Sequence, residues 1–390
     1  MNKLQLNALR PELIGSIFGR TSAAAFFNLL RSLQPKIRIL LVSSLFLVSI
    51  LLLASLDNSL VGKEGTPSAL GQMVHPAKII DRVQVPLLQD PVGIIVILVA
   101  IATPVFCAEQ VAAIREFVRM NERNIQYRAS SIRINEVNAD VARANRQFEM
   151  VGSRLLSILF LILAAGSSLL LYSLFVRRGL FRSWNSTSAS DVEWSRKTYE
   201  GWWANVHHHF FLAVALWSAG TYLFYFLAKQ LAMGCVFAVF ARSAMFHEFG
   251  VAPDMSYNTD GYWGLRPLRR FMQWTYGSTL AHFVATLGVS IVWLPFAQWT
   301  VFLVIGVMMA NCFVVIYPSS IAYNSAVREK ARFVEHIRTS DLSWMDKEGT
   351  TEKIWTRPDL PFRTRSTLSA LTLYLLVPLV LAVVSSLLSR

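Results

Sequence analysis

The chain has 390 residues, of which 54% are hydrophobic and only 16% charged, with a mean hydropathy of +0.43. Soluble domains carry about 25% charged residues, so this composition excludes an ordinary soluble domain and points to a bilayer. A formal net charge of +13 then fits cytoplasmic loops and anionic headgroups better than a nucleic-acid surface.

Residues 1–36 carry Lys3, Arg10, Arg20, Arg31 and Lys36 against one acid, Glu12. Apolar positions between Leu13 and Leu33 recur at near-helical spacing, which predicts an amphipathic helix on the membrane surface. No signal-peptide pattern is present there. Residues 37–56 are long and apolar enough for a first span. Residues 57–90 contain Gly62, Gly65, Pro67, Gly71, Pro76 and Pro86 and read as an irregular external loop. A second span is predicted at 91–107, kinked near Pro104.

Residues 108–153 form the most distinctive polar feature, with no Gly or Pro between Val105 and Val151. One continuous helix there would extend on the order of 70 Å, and a hairpin half that. Positions 111, 118, 125 and 132 are apolar, but the paired row holds Asn121, Arg128 and Asn135. A coiled coil needs both rows apolar, so the pattern predicts a cytoplasmic arm with one narrow apolar seam.

A third span is predicted at 155–176, followed by a loop whose Trp184, Trp202 and Trp203 suit the membrane–water boundary. Residues 210–246 are apolar except where Lys229 and Gln230 interrupt them. The expectation is a span at 210–227 and an interfacial helix after it, with a two-span hairpin as the alternative. Two spans at 279–296 and 299–317 should form a tight hairpin, turning at 295–298 and closed by Pro318. Residues 322–367 are a charged segment beginning as a helix at 326–337, and 368–388 are a last span.

The fold class is therefore all-α, a polytopic helical membrane protein of about seven spans with long cytoplasmic arms. Its units are 1–36, 37–107, 108–153, a core at 154–321 enclosing a polar loop at 248–278, 322–367 and 368–390. Putting 1–36, 108–154, 248–278 and 322–367 on one side gives it 25 Lys and Arg, against 8 in the opposite loops. The positive-inside rule makes the rich side cytoplasmic, with the N-terminus inside, the C-terminus outside and a bacterial inner membrane as the expected location.

The central loop offers Asp254, Asp260, Gly261, Trp263, Gly264, Arg266, Arg269 and Arg270 as groups for an anion, a cation or another subunit. Thr259–Asp260–Gly261 is a turn sequence in which Gly takes the positive-φ position. Asp260–Gly261, Gly264–Leu265 and Leu268, with the later Pro318 and Arg328–Arg332, resemble a PDG-x-GGL-x-x-L loop found in uncharacterised bacterial multi-pass membrane proteins. The match covers roughly Trp202 to Arg338. Thr259 stands where that pattern has Pro, and Trp263 replaces its first paired glycine. The resemblance implies a shared fold and no particular activity.

Lys229, Gln230 and Asn311 are candidate pore-lining or helix-bridging residues, since a polar group at membrane depth is functional by default. Snorkelling of Lys229 to an interface is the plainer expectation. His207, His208 and His209 are consecutive, about 100° apart on a helix, and cannot chelate one metal. A haem held by His209, His247 and His282 is a remote alternative. Cys107, Cys235 and Cys312 have neither disulfide nor zinc spacing. Phosphate-loop, dinucleotide, zincin and hydrolase motifs are missing from the sequence, so catalysis is unsupported, an enzyme being the lesser alternative, and no metal or cofactor is expected. What remains is an oligomeric channel-like or membrane-perturbing effector governed by its arms. The alternatives are a transporter of a small anionic solute or a scaffold recruiting a cytoplasmic protein through 108–153 and 322–367. The lipid bilayer and a second copy are the other expected partners, and nucleic acid is not one.

Overall fold

The computed structural model describes residues 35–61, 84–128, 134–180, 189–246, 265–289, 293, 298–341 and 343–356. Within them the chain is helical and has no strand; Val85 and Trp202 form one isolated parallel bridge. The helices are α1 (Pro35–Leu56), α2 (Pro91–Arg128), α3 (Ile134–Val151), α4 (Arg154–Arg178), α5 (Ala189–Glu200), α6 (Phe210–Phe246), α7 (Arg266–Gly288), α8 (Gln298–Thr339) and α9 (Trp344–Thr356). Among the described residues three stretches are long and apolar enough to cross a membrane: Pro91–Arg119, Arg154–Arg178 and Phe210–Ala244. α1 adds a shorter apolar stretch, Leu41–Leu56. Residues 1–34 of the amphipathic segment and the span at 368–388 lie outside the described residues.

Two expectations about helix ends are corrected. Residues 210–246 form neither a span plus an interfacial helix nor a hairpin, but one continuous helix, α6. At 1.5 Å per residue it is about 55 Å long, well beyond the roughly 30 Å of hydrocarbon. Nothing between Leu227 and Lys229 breaks it, because Lys229 and Gln230 are good helix formers. Likewise Pro318 does not end a helix: α8 runs through it to Thr339. α2 passes Pro104 in the same way and continues into the arm as far as Arg128. α3 then packs Ala144 and Phe148 into the core shared by α2 and α6, so the arm folds back as a hairpin.

Local chemistry sets several boundaries. Ser153 caps α4 by accepting from the Leu156 amide at 3.2 Å, and Arg177 and Arg178 complement its C-terminal dipole. Gly179 stops it at φ 75, where an added Cβ would lie 2.2 Å from the Ser195 carbonyl oxygen. A hydroxyl in the predicted external loop also has a use, since Thr198 donates back to the Leu180 carbonyl at 2.8 Å. That loop contains α5, a helix the sequence reading did not separate.

α2 and α7 run antiparallel. Val92 faces Gly288, where a Cβ would meet Val92 Cγ1 at 3.4 Å, and farther along Glu109 meets Arg270. Two apolar cores cap the two ends of this pair. At the Asp90 end, Val92, Val96, Leu212, Ala285 and Phe175 gather around Trp202, Trp203 and Trp293. At the other end, Phe117, Phe148, Phe237, Phe240, Leu268 and Phe271 pack together, with Phe117 edge-on to Phe237 at 5.4 Å. Each fully buried Phe is worth about 1.5–3 kcal/mol.

α4 is peripheral, only 17% buried along its span, and presents Leu155, Ile158, Ile162 and Leu170 outward. Such a face suits lipid. It is fixed to α6 by polar contacts: Ser168 Oγ donates to the Trp217 carbonyl at 3.0 Å and Trp217 Nε1 donates to the Ala165 carbonyl at 3.2 Å. Gly220 permits this approach, since a Cβ there would sit 2.5 Å from Ser168 Oγ. Small residues let membrane helices pack closely in this way. Gly220→Ala should cost about 1–3 kcal/mol by overpacking and lower the unfolding midpoint in detergent. Adding Ser168→Ala should recover most of that loss. If the double variant is no more stable than Gly220→Ala, the α4–α6 contact is not as described.

Candidate functional site

Two buried polar constructions stand out, and both lie between α2, α6 and α7. The first is a knot at Asp90, immediately before α2. Asp90 is fully buried. Its Oδ2 accepts from Trp202 Nε1 and Trp203 Nε1, both at 2.9 Å. Its Oδ1 accepts from Trp293 Nε1 and from the Gly93 amide, both at 3.1 Å. Asp90 is thus the N-cap of α2, with Pro91 at the first helical position, a favourable pairing. Burial pushes its carboxyl up from the ordinary carboxylate range, opposed by the Trp202, Trp203, Gly93 and Trp293 donors. All four neighbours donate, which matches a carboxylate at the positive end of a helix dipole. Trp202 and Trp203 are sealed inside the protein, where their indole N–H groups serve this anion. Gly93 allows the closure, since a Cβ would meet Asp90 Oδ2 at 2.9 Å and Trp203 Cζ2 at 3.0 Å.

The second construction is a seam of polar side chains deeper in the bundle. Thr103 on α2 lies 3.2 Å from His282 Nε2 on α7. One turn away, Ser278 donates to Gln230 Oε1 on α6 at 2.9 Å. Gln230 Nε2 donates to Gln110 Oε1 on α2 at 3.0 Å, and Gln110 Nε2 donates to Thr275 Oγ1 on α7 at 2.8 Å. Thr275 closes the file by donating to the Phe271 carbonyl at 2.8 Å. Every one of these side chains is buried. Beyond them Arg270 Nη2 binds Glu109 Oε2 at 2.6 Å, and Nη1 lies 3.6 Å from Glu116 Oε2. Toward the Asp90 end the interface turns apolar, with Val92, Val96, Val99 and Ala285. The file therefore lies in the middle of the bundle, between the apolar core at the Asp90 end and the Glu109–Arg270 pair with the Phe117–Phe271 core at the other.

An unpartnered buried polar group costs about 1–3 kcal/mol, and hydrocarbon offers no water to relieve it. Mutual pairing is what makes six such side chains tolerable here. Lys229 is also buried, its ammonium 4.9 Å from the Tyr225 ring centroid. The snorkelling expectation is corrected: α6 runs on through Lys229 to Phe246, and the Lys229 side chain is buried against an aromatic face.

The remaining candidates separate. Asp254, Asp260, Gly261, Trp263 and Gly264 lie outside the described residues, as does His247. Arg266 is exposed, Arg269 is half-buried, and Arg270 is engaged by Glu109 and Glu116. Asn311 lies within α8, and its side chain is outside the described residues. His209 pairs with Asp57 at the end of α1, whereas His282 bonds within the seam. No group of three His, Cys, Asp or Glu side chains able to hold a metal occurs among the described residues. Cys107 is buried and Cys235 exposed, both as free thiols.

Sequence reasoning singled out Lys229 and Gln230 but missed Asp90, Thr103, Gln110, Thr275 and Ser278. The available signals were the Asp90–Pro91 capping pair, the Trp202–Trp203 doublet, and polar side chains four residues apart at Thr275, Thr279 and at Ser278, His282. No protein-family model matches the chain, and neither curated proteins nor solved structures give a match. Asp90→Asn keeps the size but places an amide N–H₂ against indole donors. It should cost on the order of 3 kcal/mol, as loss of a buried charged partner does. The expected readout is a lower unfolding midpoint and a red-shifted tryptophan emission. Unchanged emission and stability would contradict the knot.

Proposed function

We propose that this chain is a channel-like membrane conduit whose path is the α2–α6–α7 seam, held shut at one end by the Asp90 knot. The observation that carries this reading is the hydrogen-bonded file from Thr103 and His282 to Thr275, buried where α7 packs on the apolar stretches of α2 and α6. Ionisable side chains at such depth, here His282 and the neighbouring Lys229, mark ion or substrate pathways in membrane proteins, and the Ser, Thr and Gln side chains beside them bridge the helices. The packed file is the closed state, and opening would separate α7 from α2 and α6.

Control through the arms fits the geometry of α2. Thr103, Gln110 and Glu116 sit on the same unbroken helix, which continues to Arg128, so displacement of the arm moves the seam. The arms at 108–153 and 322–367 are the proposed sites for a cytoplasmic partner or a second copy. In the proposed topology seven spans cross the membrane, including 368–388, with the N-terminus and the arms on the cytoplasmic face by the distribution of Lys and Arg. The Asp90 knot then faces outside. A bacterial inner membrane remains the proposed location. An anion carrier is less well supported, because Arg270, one of its three attracting charges, is committed to Glu109 and Glu116.

Purified protein in planar lipid bilayers should give discrete current steps. Gln230→Leu, which interrupts the file while keeping volume, should reduce the current about tenfold, equivalent to about 1.4 kcal/mol on a barrier. A silent bilayer from correctly inserted protein, or full current from Gln230→Leu, would overturn the conduit.

A further inference from the structure

His282 sits where its two ring nitrogens meet different kinds of partner. Nδ1 lies 2.6 Å from the Ser278 carbonyl oxygen and 3.3 Å from the Ser278 hydroxyl. A carbonyl only accepts, so Nδ1 carries a hydrogen and donates it. Nε2 lies 3.2 Å from Thr103 Oγ1, and that hydroxyl is 2.7 Å from the Val99 carbonyl one turn back. Thr103 has a single hydroxyl hydrogen to place. Directed at Val99, it leaves an oxygen lone pair facing Nε2, and Nε2 must then be protonated and donate. Rotated onto Nε2, it satisfies a neutral ring, and the Val99 carbonyl keeps its ordinary helical bond. Both forms of the imidazole are therefore satisfied without moving a heavy atom.

We propose that His282 is a proton-binding site of the conduit, taking H⁺ that originates in bulk water, with the Thr103 hydroxyl as the rotor that accommodates both forms. The consequence for transport rests on the conduit reading; the binding of the proton does not. Protonation adds a positive charge to the middle of the α2–α7 interface, and deprotonation removes it with no other bond made or broken. The ionisable groups around this part of the bundle are Cys107 and Glu109 on α2, Tyr222, Tyr225 and Lys229 on α6, and Tyr276 on α7. Glu109 is already paired with Arg270, and the Lys229 ammonium rests over the Tyr225 ring. The charged ring thus depends on Thr103 and Ser278 rather than on a carboxylate partner.

The test is nitrogen-15 magnetic resonance of histidine-labelled full-length protein in lipid nanodiscs, with His282 assigned through His282→Gln. As pH falls from about 9 to about 4, the His282 ring should pass from the Nδ1–H neutral form to the imidazolium. Thr103→Val should lower its proton affinity about tenfold, because an imidazolium N–H without an acceptor loses more than a bare lone pair does. Thr103→Ser should titrate like the wild type. A His282 fixed in one form across that range, or an unshifted titration in Thr103→Val, would overturn the site. A titrating His282 in a protein that carries no current supports the site and removes only the conduit. A conducting protein whose His282 never titrates does the reverse.

Discussion

The structure depends on one buried anion. Asp90 binds three indoles and an amide drawn from the start of α2, from the turn before α6 and from the far side of α7. In a medium without water these donors have no alternative partner, so the knot sets which residues of α2 and α7 lie opposite one another. Given that register, Thr103 arrives at His282 and Gln110 at Thr275. At the opposite end the Glu109–Arg270 pair and the Phe117–Phe237–Phe271 cluster hold the same alignment. The seam is thus pinned at both ends, by charge at one and by charge and aromatic packing at the other.

The class of molecule was legible in the sequence, and the site only in part. Apolar runs at 91–107, 155–176 and 210–227 coincide with stretches of α2, α4 and α6, because hydrocarbon thickness constrains length directly. Helix ends were less legible. Lys229 and Gln230 looked like the end of a span, yet α6 continues because its polar side chains find partners inside the bundle. Pro318 looked like a stop, yet α8 passes through it. Thr275 and Ser278 were counted within a polar loop, since a hydroxyl cannot be told from a loop residue until its neighbours are known. Asp90 closed a loop by sequence, and only the return of Trp202, Trp203 and Trp293 in three dimensions gives it a role.

The outer helices carry a different kind of information. α1 and α4 expose Leu41, Leu45, Leu52, Ile158, Ile162 and Leu170, side chains that suit lipid tails and leave the polar chemistry to α2, α6 and α7. α2 extends well past a bilayer's thickness, so its apolar stretch and the start of the arm at 108–153 are built from the same helix. α9 folds back on α8, packing Ile354 against Val334 and Ile337. Motion imposed on an arm would be carried along these continuous helices into the seam, with no hinge loop between.

The central claim is that the seam opens to water from the Glu109 end and is sealed at the Asp90 end. Site-by-site cysteine accessibility measures this most directly. Cys107, Cys235 and Cys312 would be replaced first, and single cysteines then placed at Gln110, Ser278, Thr103 and Val96 in sealed vesicles of known orientation. A charged, membrane-impermeant thiol reagent is expected to modify position 110 fastest, then 278 and 103, all from the side bearing the arms, and to leave 96 untouched. Modification from the Asp90 side, or none at 110 and 278 under conditions that carry current, would contradict the account.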